Sequence, residues 1–137
     1  MEATAALARR AFGHAGEALE AARFRWTYQS AFDGAVVVAA TDGGEKVGQG
    51  AFVFQQAQVA GHKVRAAQFV DLFVDPARRA GGTVRGIYSG LVRQAEAQDV
   101  GLIFAAPNPA ARDINRKLMG LVDLATMPFR MGMVLPV

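Results

Sequence analysis

One continuous stretch, from Gln68 to Asp99, constrains the fold more than any other part of the chain. It begins with an aromatic and β-branched run, Phe69–Val74, which favours a half-buried strand. Pro76 ends this strand because proline cannot donate a ladder hydrogen bond. Beyond Gly81 and Gly82, apolar residues recur at helical spacing and predict one buried helix face: Val84, Ile87, Tyr88, Leu91, Val92 and Ala95. The stretch therefore predicts a strand, a short loop and an amphipathic helix.

The loop of this unit has the composition of an anion site. A helix start leaves backbone N–H groups without intrahelical acceptors, beside the positive end of the helix dipole. Arg78 and Arg79 lie next to this start and Arg85 lies one turn into the helix, so an anion such as phosphate suits the loop. The same unit also occurs as a packing motif that binds no ligand, and the loop alone does not separate the two interpretations.

Composition limits the classes of protein that need consideration. A chain of 137 residues, 52% of them hydrophobic, is expected to form one domain, residues 1–137, with a packed core. Because cysteine is absent, disulfides and thiolate nucleophiles are excluded, and His14 and His62 are too far apart in sequence to suggest a metal site. The sequence shows no apolar run of membrane-spanning length and no signal-peptide pattern, so a cytoplasmic protein is expected.

The segments before the unit predict helices followed by an antiparallel meander. Alanine-rich residues 2–23 predict a broken helix or two short helices, and aromatic-rich residues 24–34 predict a connector that packs on the core. Strands are predicted at Ala35–Thr41, Lys46–Gln56 and Val64–Val74, separated by glycine turns.

The segments after the unit predict one more strand and one more helix. The strand Gly101–Ala106 should run parallel to the preceding strand because a helix connects them. Asn108-Pro109 marks a helix start, since asparagine is a preferred cap and proline is favoured at the first position. This helix is expected to turn Ile114, Leu118 and Leu121 inward and to stop at Gly120, before two short extended pieces around Pro128. The predicted fold class is α/β (α+β), with a mixed, mostly antiparallel sheet flanked by helices.

The order of these elements over residues 35–121 resembles the GNAT superfamily of acyl-coenzyme A-dependent N-acyltransferases. That family's pyrophosphate loop has the form Arg/Gln-x-x-Gly-x-Gly/Ala after a Val-x-Pro strand end. Here Val74-Asp75-Pro76 precedes the loop, and two registers match it. Arg79 and Gly82 match in one register, with Val84 last; Arg78 and Gly81 match in the other, with Thr83 last.

The next helix is similar to the family's Asn-x-x-Ala-x-x-x-Tyr stretch. Asn108 and Ala111 match its first two positions, and Asn115 stands where tyrosine is common. A member of this family would have a GNAT-like sheet and would transfer an acetyl or acyl group from acetyl-CoA, or another acyl-CoA, to an amine. The acceptor implied is a small molecule or a peptide.

The resemblance also implies which residues bind the acyl-CoA. Backbone N–H groups near Phe73 and Val74 would hold the thioester carbonyl and pantetheine, and the loop would hold the pyrophosphate. The implied binding residues of the loop and the second helix are Arg78, Arg79, Ala80, Gly81, Gly82, Thr83, Val84, Asn108 and Asn115. Gly86 and Gly90 on the first helix either admit coenzyme A or form a helix-packing notch.

Acyl transfer to an amine also needs a group that accepts a proton. Gln68 and Asp71 lie on the central strand, where the family often places polar groups, and they are the candidate catalytic residues. If this strand is buried, desolvation makes Asp71 a stronger base. Alternatively, Asp71 pairs with an arginine or lies on a solvated face. Asn115 cannot donate a proton to the leaving thiolate as a tyrosine would.

Two other functions stay open at the level of sequence. The chain could be a non-catalytic acyl-CoA-binding sensor or interaction module that keeps the fold and lacks the acid. A nucleic-acid binder would use a cluster of cations as phosphate contacts: Arg78, Arg79, Arg85, Arg93, Arg112, Arg116 and Lys117. The net charge of +3 is too modest to favour nucleic acid, and neither a nucleic acid nor a membrane is expected as partner. A homodimer remains open.

Overall fold

A computed structural model describes residues 1–79 and 82–125 of the chain. Its helices are α1 (Glu2–Phe12), α2 (Ala21–Gln29), α3 (Thr83–Ala97) and α4 (Pro109–Met119). Its strands are β1 (Ala35–Asp42), β2 (Glu45–Val59), β3 (His62–Val74) and β4 (Leu102–Ala105). Short 3-10 helices at Gly13–Gly16 and Pro76–Arg78 follow α1 and β3.

The strands form one sheet in the order β1-β2-β3-β4. The first three strands pair antiparallel as a meander, whereas β3 and β4 pair in parallel because α3 connects them. The predicted mixed, mostly antiparallel sheet with flanking helices is therefore confirmed. The parallel pairing covers Ala66–Phe69 on β3 and Leu102–Ala105 on β4. Since β3 continues to Val74, its last residues extend beyond the end of β4.

A β-bulge interrupts β3 close to the point where its pairing with β4 ends. The β2–β3 register passes from Ala51↔Val70 to Gln49↔Phe73, so two residues of β3 lie opposite one residue of β2. One of the two is Asp71, whose φ of 52° lies in the left-handed region. Bulges redirect side chains and end regular pairing. This bulge therefore places Asp71 at the open end of the sheet.

The core has two layers because successive residues of a strand face opposite sides of the sheet. On one face, α3 packs on Phe52 and Phe69 through Ile87, Tyr88 and Leu91. On the other face, α1 and α2 pack on Ala51 and Phe73 through a second apolar group: Leu7, Ala8, Ala21, Phe24 and Tyr28. Both faces of the sheet are thus covered by helices.

Helix α3 lies close to the sheet at Gly90. A Cβ atom added there would come within 2.6 Å of Cγ1 of Val38 on β1. Gly90 is therefore a packing notch. Gly86, one turn earlier, has no atom within 4 Å of the equivalent position and stays uncovered at the start of α3.

The helical predictions need two corrections. Residues 2–23 do form two helical segments, but the predicted connector at residues 24–34 is instead largely α2, whose Ala21, Phe24 and Tyr28 form a buried face at helical spacing. On α4, Ile114 is 38% exposed, and the buried residue of this helix is Asn115. The predicted cap at Asn108 and stop at Gly120 are confirmed. The extended pieces predicted around Pro128 lie outside the described residues from position 126 onwards.

Candidate active site

A cleft of about 370 Å³ opens where β3 and β4 diverge. One wall is β3 from Gln68 to Leu72, and the other is the segment Ala105–Asn108 with the inner side of α4. Side chains from the α1–α2 face of the sheet complete the lining: Phe12, Arg23 and Thr27. The cleft brings together four of the residues predicted from the sequence, namely Gln68, Asp71, Asn108 and Asn115.

Asp71 contacts two residues of α2 in this cleft. The Tyr28 hydroxyl donates a 2.7 Å hydrogen bond to Oδ2 of Asp71. An Arg23 guanidinium nitrogen lies 3.4 Å from Oδ1. The Asp71 side chain is 15% exposed, so it is accessible from the cleft without being solvated on all sides. Asp71 therefore has an arginine partner, which is one of the alternatives left open by the sequence. It also lines the cleft, as a proton acceptor would.

A buried chain of hydrogen bonds supports the Asp71 carboxylate. Gln49, which is fully buried on β2, donates from Nε2 to the Tyr28 hydroxyl at 3.1 Å. Burial, together with the adjacent Asp71 carboxylate, raises the pKa of Tyr28 above its ordinary value. Tyr28 therefore stays protonated, so its hydroxyl proton is directed at Asp71. Oε1 of Gln49 is buried with no hydrogen-bond partner among the described residues.

Asn115 lies on the opposite wall and is oriented by α3. The hydroxyl of Tyr88 donates a hydrogen bond to Oδ1 of Asn115, and both side chains are buried. Burial raises the pKa of Tyr88 to about 12, so the phenol remains the donor of this bond. Because Oδ1 is the acceptor, the Asn115 amide has two N–H donors that bond to no other described residue, and it lines the cleft.

Gln68 and Asn108 have partners within the protein. Oε1 of Gln68 accepts a long 3.4 Å contact from Nε2 of Gln55 on β2. Oδ1 of Asn108 accepts a hydrogen bond from the Ala111 amide at 2.8 Å and so caps α4. Both side chains line the cleft. Asn108 thereby fixes the start of the helix that carries Asn115.

The loop after β3 holds its two arginines in different ways. Arg78 pairs with Asp42 at 2.7 Å, on the exposed surface. Arg79 donates to the carbonyl of Ala11 at 3.1 Å and to the carbonyl of Val74 at 3.4 Å, so it bridges α1 and the end of β3. Neither arginine lines the cleft described above.

The backbone amides of this loop fall into two groups. The amides of Ala77 and Arg78 are already bonded to Asp75, through its carboxylate and its carbonyl. Later in the loop, the first helical bond of α3 runs from Gly86 N–H to the Gly82 carbonyl. The amides of Thr83 and Val84 precede this ladder and have no intrahelical acceptor, and among the described residues no side chain caps α3. Ala80 and Gly81, two of the predicted binding residues, lie outside the described residues.

Phe73 and Val74 bury their side chains on opposite faces of the sheet. The amide of Asp75 donates to Val47 of β2 at 2.8 Å. Since successive amides of a strand point to opposite edges, the Val74 amide points away from β2 and toward the open edge. The same alternation turns the amide of Phe73, which is paired with Gln49, toward β2.

Three residues of this site were not singled out from the sequence: Arg23, Tyr28 and Gln49. Tyr88 was predicted on the buried face of α3, but its bond to Asn115 was not predicted. Tyr28 lies in the segment that was assigned to a connector, and Arg23 is the last residue of the alanine-rich segment before it. The spacing of Ala21, Phe24 and Tyr28 is the signal that could have identified a helix there. Gln49 carries no local signal for its bond to Tyr28, and nothing local indicates the bond between Tyr88 and Asn115, because the partners lie 21 and 27 residues apart in sequence.

Within the described part of the chain, no three His, Asp or Glu side chains are grouped as a metal site would require. The same residues include no helix with the length and apolar character needed to cross a membrane.

Comparison with known proteins identifies the fold. A family profile described as "Acetyltransferase (GNAT) domain" matches residues 1–118. The crystal structure of an aminoglycoside acetyltransferase from an uncultured soil metagenomic sample has a TM-score of 0.71 and 20% identity, covering 96% of this chain and 90% of that chain. An acetyltransferase from Trypanosoma brucei has a TM-score of 0.70 and 18% identity, with 95% and 93% covered.

A third structure is similar over less of its length. Glucosamine-6-phosphate N-acetyltransferase from Arabidopsis thaliana has a TM-score of 0.65 and 13% identity, covering 80% of this chain and 74% of that chain. Comparison with curated protein sequences finds no match. At these low sequence identities, the solved structures show only that the fold is shared. The family profile matches residues 1–118, which is most of the chain, and so shows the family. The chain therefore belongs to the GNAT family of acetyltransferases.

Proposed function

We propose that the protein is an N-acyltransferase that moves an acetyl or other acyl group from acyl-CoA to the amine of an acceptor. The observation that carries this proposal is the cleft between β3 and β4, which has the Asp71 carboxylate on one wall and the Asn115 amide on the other. A carboxylate suits deprotonation of an amine, and N–H donors suit developing negative charge. Family membership supports the reaction class.

The described residues fit an acyl-CoA in two respects. The first turn of α3 presents the amides of Thr83 and Val84, which favours a diphosphate, and Arg79 lies four residues before that turn in the sequence. Gly86 on that turn has no neighbouring atoms that would block close approach. When bound there, acyl-CoA would supply an activated thioester. Asn108 and Asn115 would lie along its path into the cleft.

The protein's own groups have distinct parts in the transfer. The outward-facing amide of Val74 is a donor for the thioester oxygen. The Asp71 carboxylate takes the proton from the acceptor nitrogen as that nitrogen forms its bond to the acyl carbon. The carbon–sulfur bond breaks, and its electron pair stays on sulfur as a thiolate. The Asn115 amide donates a hydrogen bond to that sulfur in place of a proton.

One feature favours a second candidate, a non-catalytic acyl-CoA sensor or interaction module. Asn115 cannot protonate a thiolate, and Tyr88, whose hydroxyl is bonded to it, is fully buried. Of the cations considered for nucleic-acid binding, Arg78 pairs with Asp42, and both Arg112 and Arg116 pair with Asp123. These ion pairs reduce the free positive charge, so the nucleic-acid function receives no support from the surface.

Two measurements on the purified chain test the proposal. Acetyl-CoA should raise the melting temperature, since a ligand that binds the folded state stabilises it. A thiol-reactive dye should then report release of free coenzyme A from acetyl-CoA in the presence of a panel of primary amines. Stabilisation with no thiol release above the amine-free rate would favour the sensor. Absence of both effects would contradict acyl-CoA binding altogether.

Several finer points remain predictions. The sequence leaves the acyl group and a homodimer open and predicts a cytoplasmic location, and each needs its own measurement. The similar structures bear names that specify different amines, an aminoglycoside and glucosamine 6-phosphate. The acceptor must therefore be sought in the cleft of this chain.

A further inference from the structure

The cleft contains one positive and one negative side chain. Among the described residues that line it, Arg23 and Asp71 are the ionisable ones. Their contact is a single one at 3.4 Å, which is long for a charge-assisted hydrogen bond. The Arg23 side chain is 44% exposed, and a pair so accessible to solvent contributes little to stability. Strengthening the fold is therefore a weak explanation for this arginine.

Asp71 does not depend on Arg23 for its position. Its Oδ2 atom accepts the shorter bond from Tyr28, at 2.7 Å, and Tyr28 is itself held by Gln49. This buried support fixes the carboxylate from the side of the sheet, whereas Arg23 approaches the other oxygen. If Arg23 moved to another anion, Asp71 would stay in place with Oδ1 accessible.

Arg23 has the means to hold a second anion. Its Nη2 atom makes the contact to Asp71, while Nε and Nη1 have no hydrogen-bond acceptor among the described residues. Its guanidinium lies 5.3 Å from the ring centroid of Phe24, which is buried and limits where the group can move. A planar guanidinium with unused donors matches a carboxylate or phosphate in two-point contact.

From this arrangement we infer that the acceptor is an amine that carries an anionic group close to the nitrogen. Its amine would approach Oδ1 of Asp71, and its carboxylate or phosphate would bind Arg23. This inference rests on the proposed acyltransferase function and names the class of acceptor. It makes Arg23 a specificity-determining residue, with a part separate from proton transfer.

Matched acceptor pairs test the inference. L-Alanine is compared with L-alaninamide, and O-phosphoethanolamine with ethanolamine, so that each pair differs in its anion and the two pairs distinguish carboxylate from phosphate. The measurement is kcat/KM from thiol release at saturating acetyl-CoA, for the parent protein, Arg23→Gln and Arg25→Gln. Arg25 lies on the same helix, is exposed and pairs with Glu2, so it is the matched control for loss of one charge.

The expected result is a preference of the parent for the anionic member of at least one pair. Arg23→Gln should lower kcat/KM for that member by roughly tenfold or more, since a charged hydrogen bond is lost. Its effect on kcat/KM for the neutral member should be smaller, so the ratio between the two members should fall, whereas Arg25→Gln should leave that ratio unchanged. The melting-temperature response to acetyl-CoA should be the same in all three proteins.

Two results would overturn the inference. If the parent prefers the neutral amines, or if Arg23→Gln affects both members of a pair equally, Arg23 does not recognise an anion and the acyltransferase proposal stands alone. If no acceptor releases thiol although acetyl-CoA stabilises the protein, the inference and the catalytic proposal both fail while cofactor binding survives.

Discussion

Gly90 of α3 packs directly against Val38 of β1, with 2.6 Å between Cγ1 of Val38 and the place where a Cβ atom of residue 90 would lie. Valine has little rotamer freedom to move aside. Gly90→Ala should therefore lower the free energy of unfolding by about 1–3 kcal/mol, because overpacking outweighs the helix propensity gained. Urea denaturation measures this change.

Two further variants control for this effect. Gly86→Ala on the same helix meets no atom within 4 Å, so it should raise the free energy of unfolding by up to about 1 kcal/mol. In a Val38→Ala background, Gly90→Ala should become neutral or stabilising. If it still destabilises the Val38→Ala protein, the contact with Val38 is not the cause.

Asp71→Asn tests the proposed base. Asparagine keeps the shape and can still accept the Tyr28 hydrogen bond, but it cannot take a proton from the acceptor. We expect kcat to fall by about 100-fold or more, with the dissociation constant for acetyl-CoA unchanged. Asp99→Asn is the matched control, because Asp99 is exposed and has the same positive φ of 52°. Equal activity of the two variants would remove Asp71 from the mechanism.

Arg79→Ala tests the loop. The guanidinium of Arg79 bridges the Ala11 and Val74 carbonyls, and Arg79 belongs to the loop that is proposed to bind a diphosphate. Its removal should weaken acetyl-CoA binding by roughly tenfold or more, the effect of one lost charged hydrogen bond. Titration calorimetry at fixed ionic strength measures the affinity. Arg93→Ala removes an equal charge from an exposed position of α3 and should leave the affinity unchanged; similar losses in both proteins would indicate a general charge effect.

The sheet and the strand–loop–helix unit from Gln68 to Asp99 were predictable because the sequence patterns that indicate them are local. Apolar runs, glycine turns and the Asn108-Pro109 helix start each lie within a few residues, and all of them recur in the structure. Helix α2 was missed because Trp26 and Tyr28 have aromatic side chains that suit a strand or connector equally well. Its buried face consists of three residues, too few to outweigh that composition.

The polar parts of the site were harder to predict. Asn115 occupies the buried position of α4 because Tyr88 supplies a hydrogen-bond partner that an apolar pattern does not reveal. Ile114, which the pattern assigned to the core, is consequently turned outward. Asp71 was identified as a candidate catalytic residue, but its position depends on a bulge and on residues of α2 and β2. Such features arise from tertiary contacts.

The ion pair between Arg10 and Asp75 makes the attachment of α1 dependent on pH. The Arg10 guanidinium, 2.8 Å from the Asp75 carboxylate, and the Ala77 amide hold the pKa of Asp75 below its ordinary value of 3.8. A depressed pKa in the folded state means that this interaction is fully present above pH 3.8 and is lost as the pH falls through the folded value. Asp75→Asn should therefore lower the melting temperature at pH 7, and the difference from the parent should shrink below pH 3.8.

The partner residue gives the control for this pH dependence. Arg10→Gln should cause at least as large a loss at pH 7, since Arg10 also pairs with Glu45 and donates to the Lys46 carbonyl. In that background Asp75→Asn should cause little further loss, because the pair is already broken. Asparagine can still accept the Ala77 amide bond, so the turn at Pro76–Arg78 should persist in both variants. Thermal melts between pH 3 and pH 7 measure the effect. A melting-temperature difference that stays constant over this range would show that the charge of Asp75 does not stabilise the junction between α1 and β3.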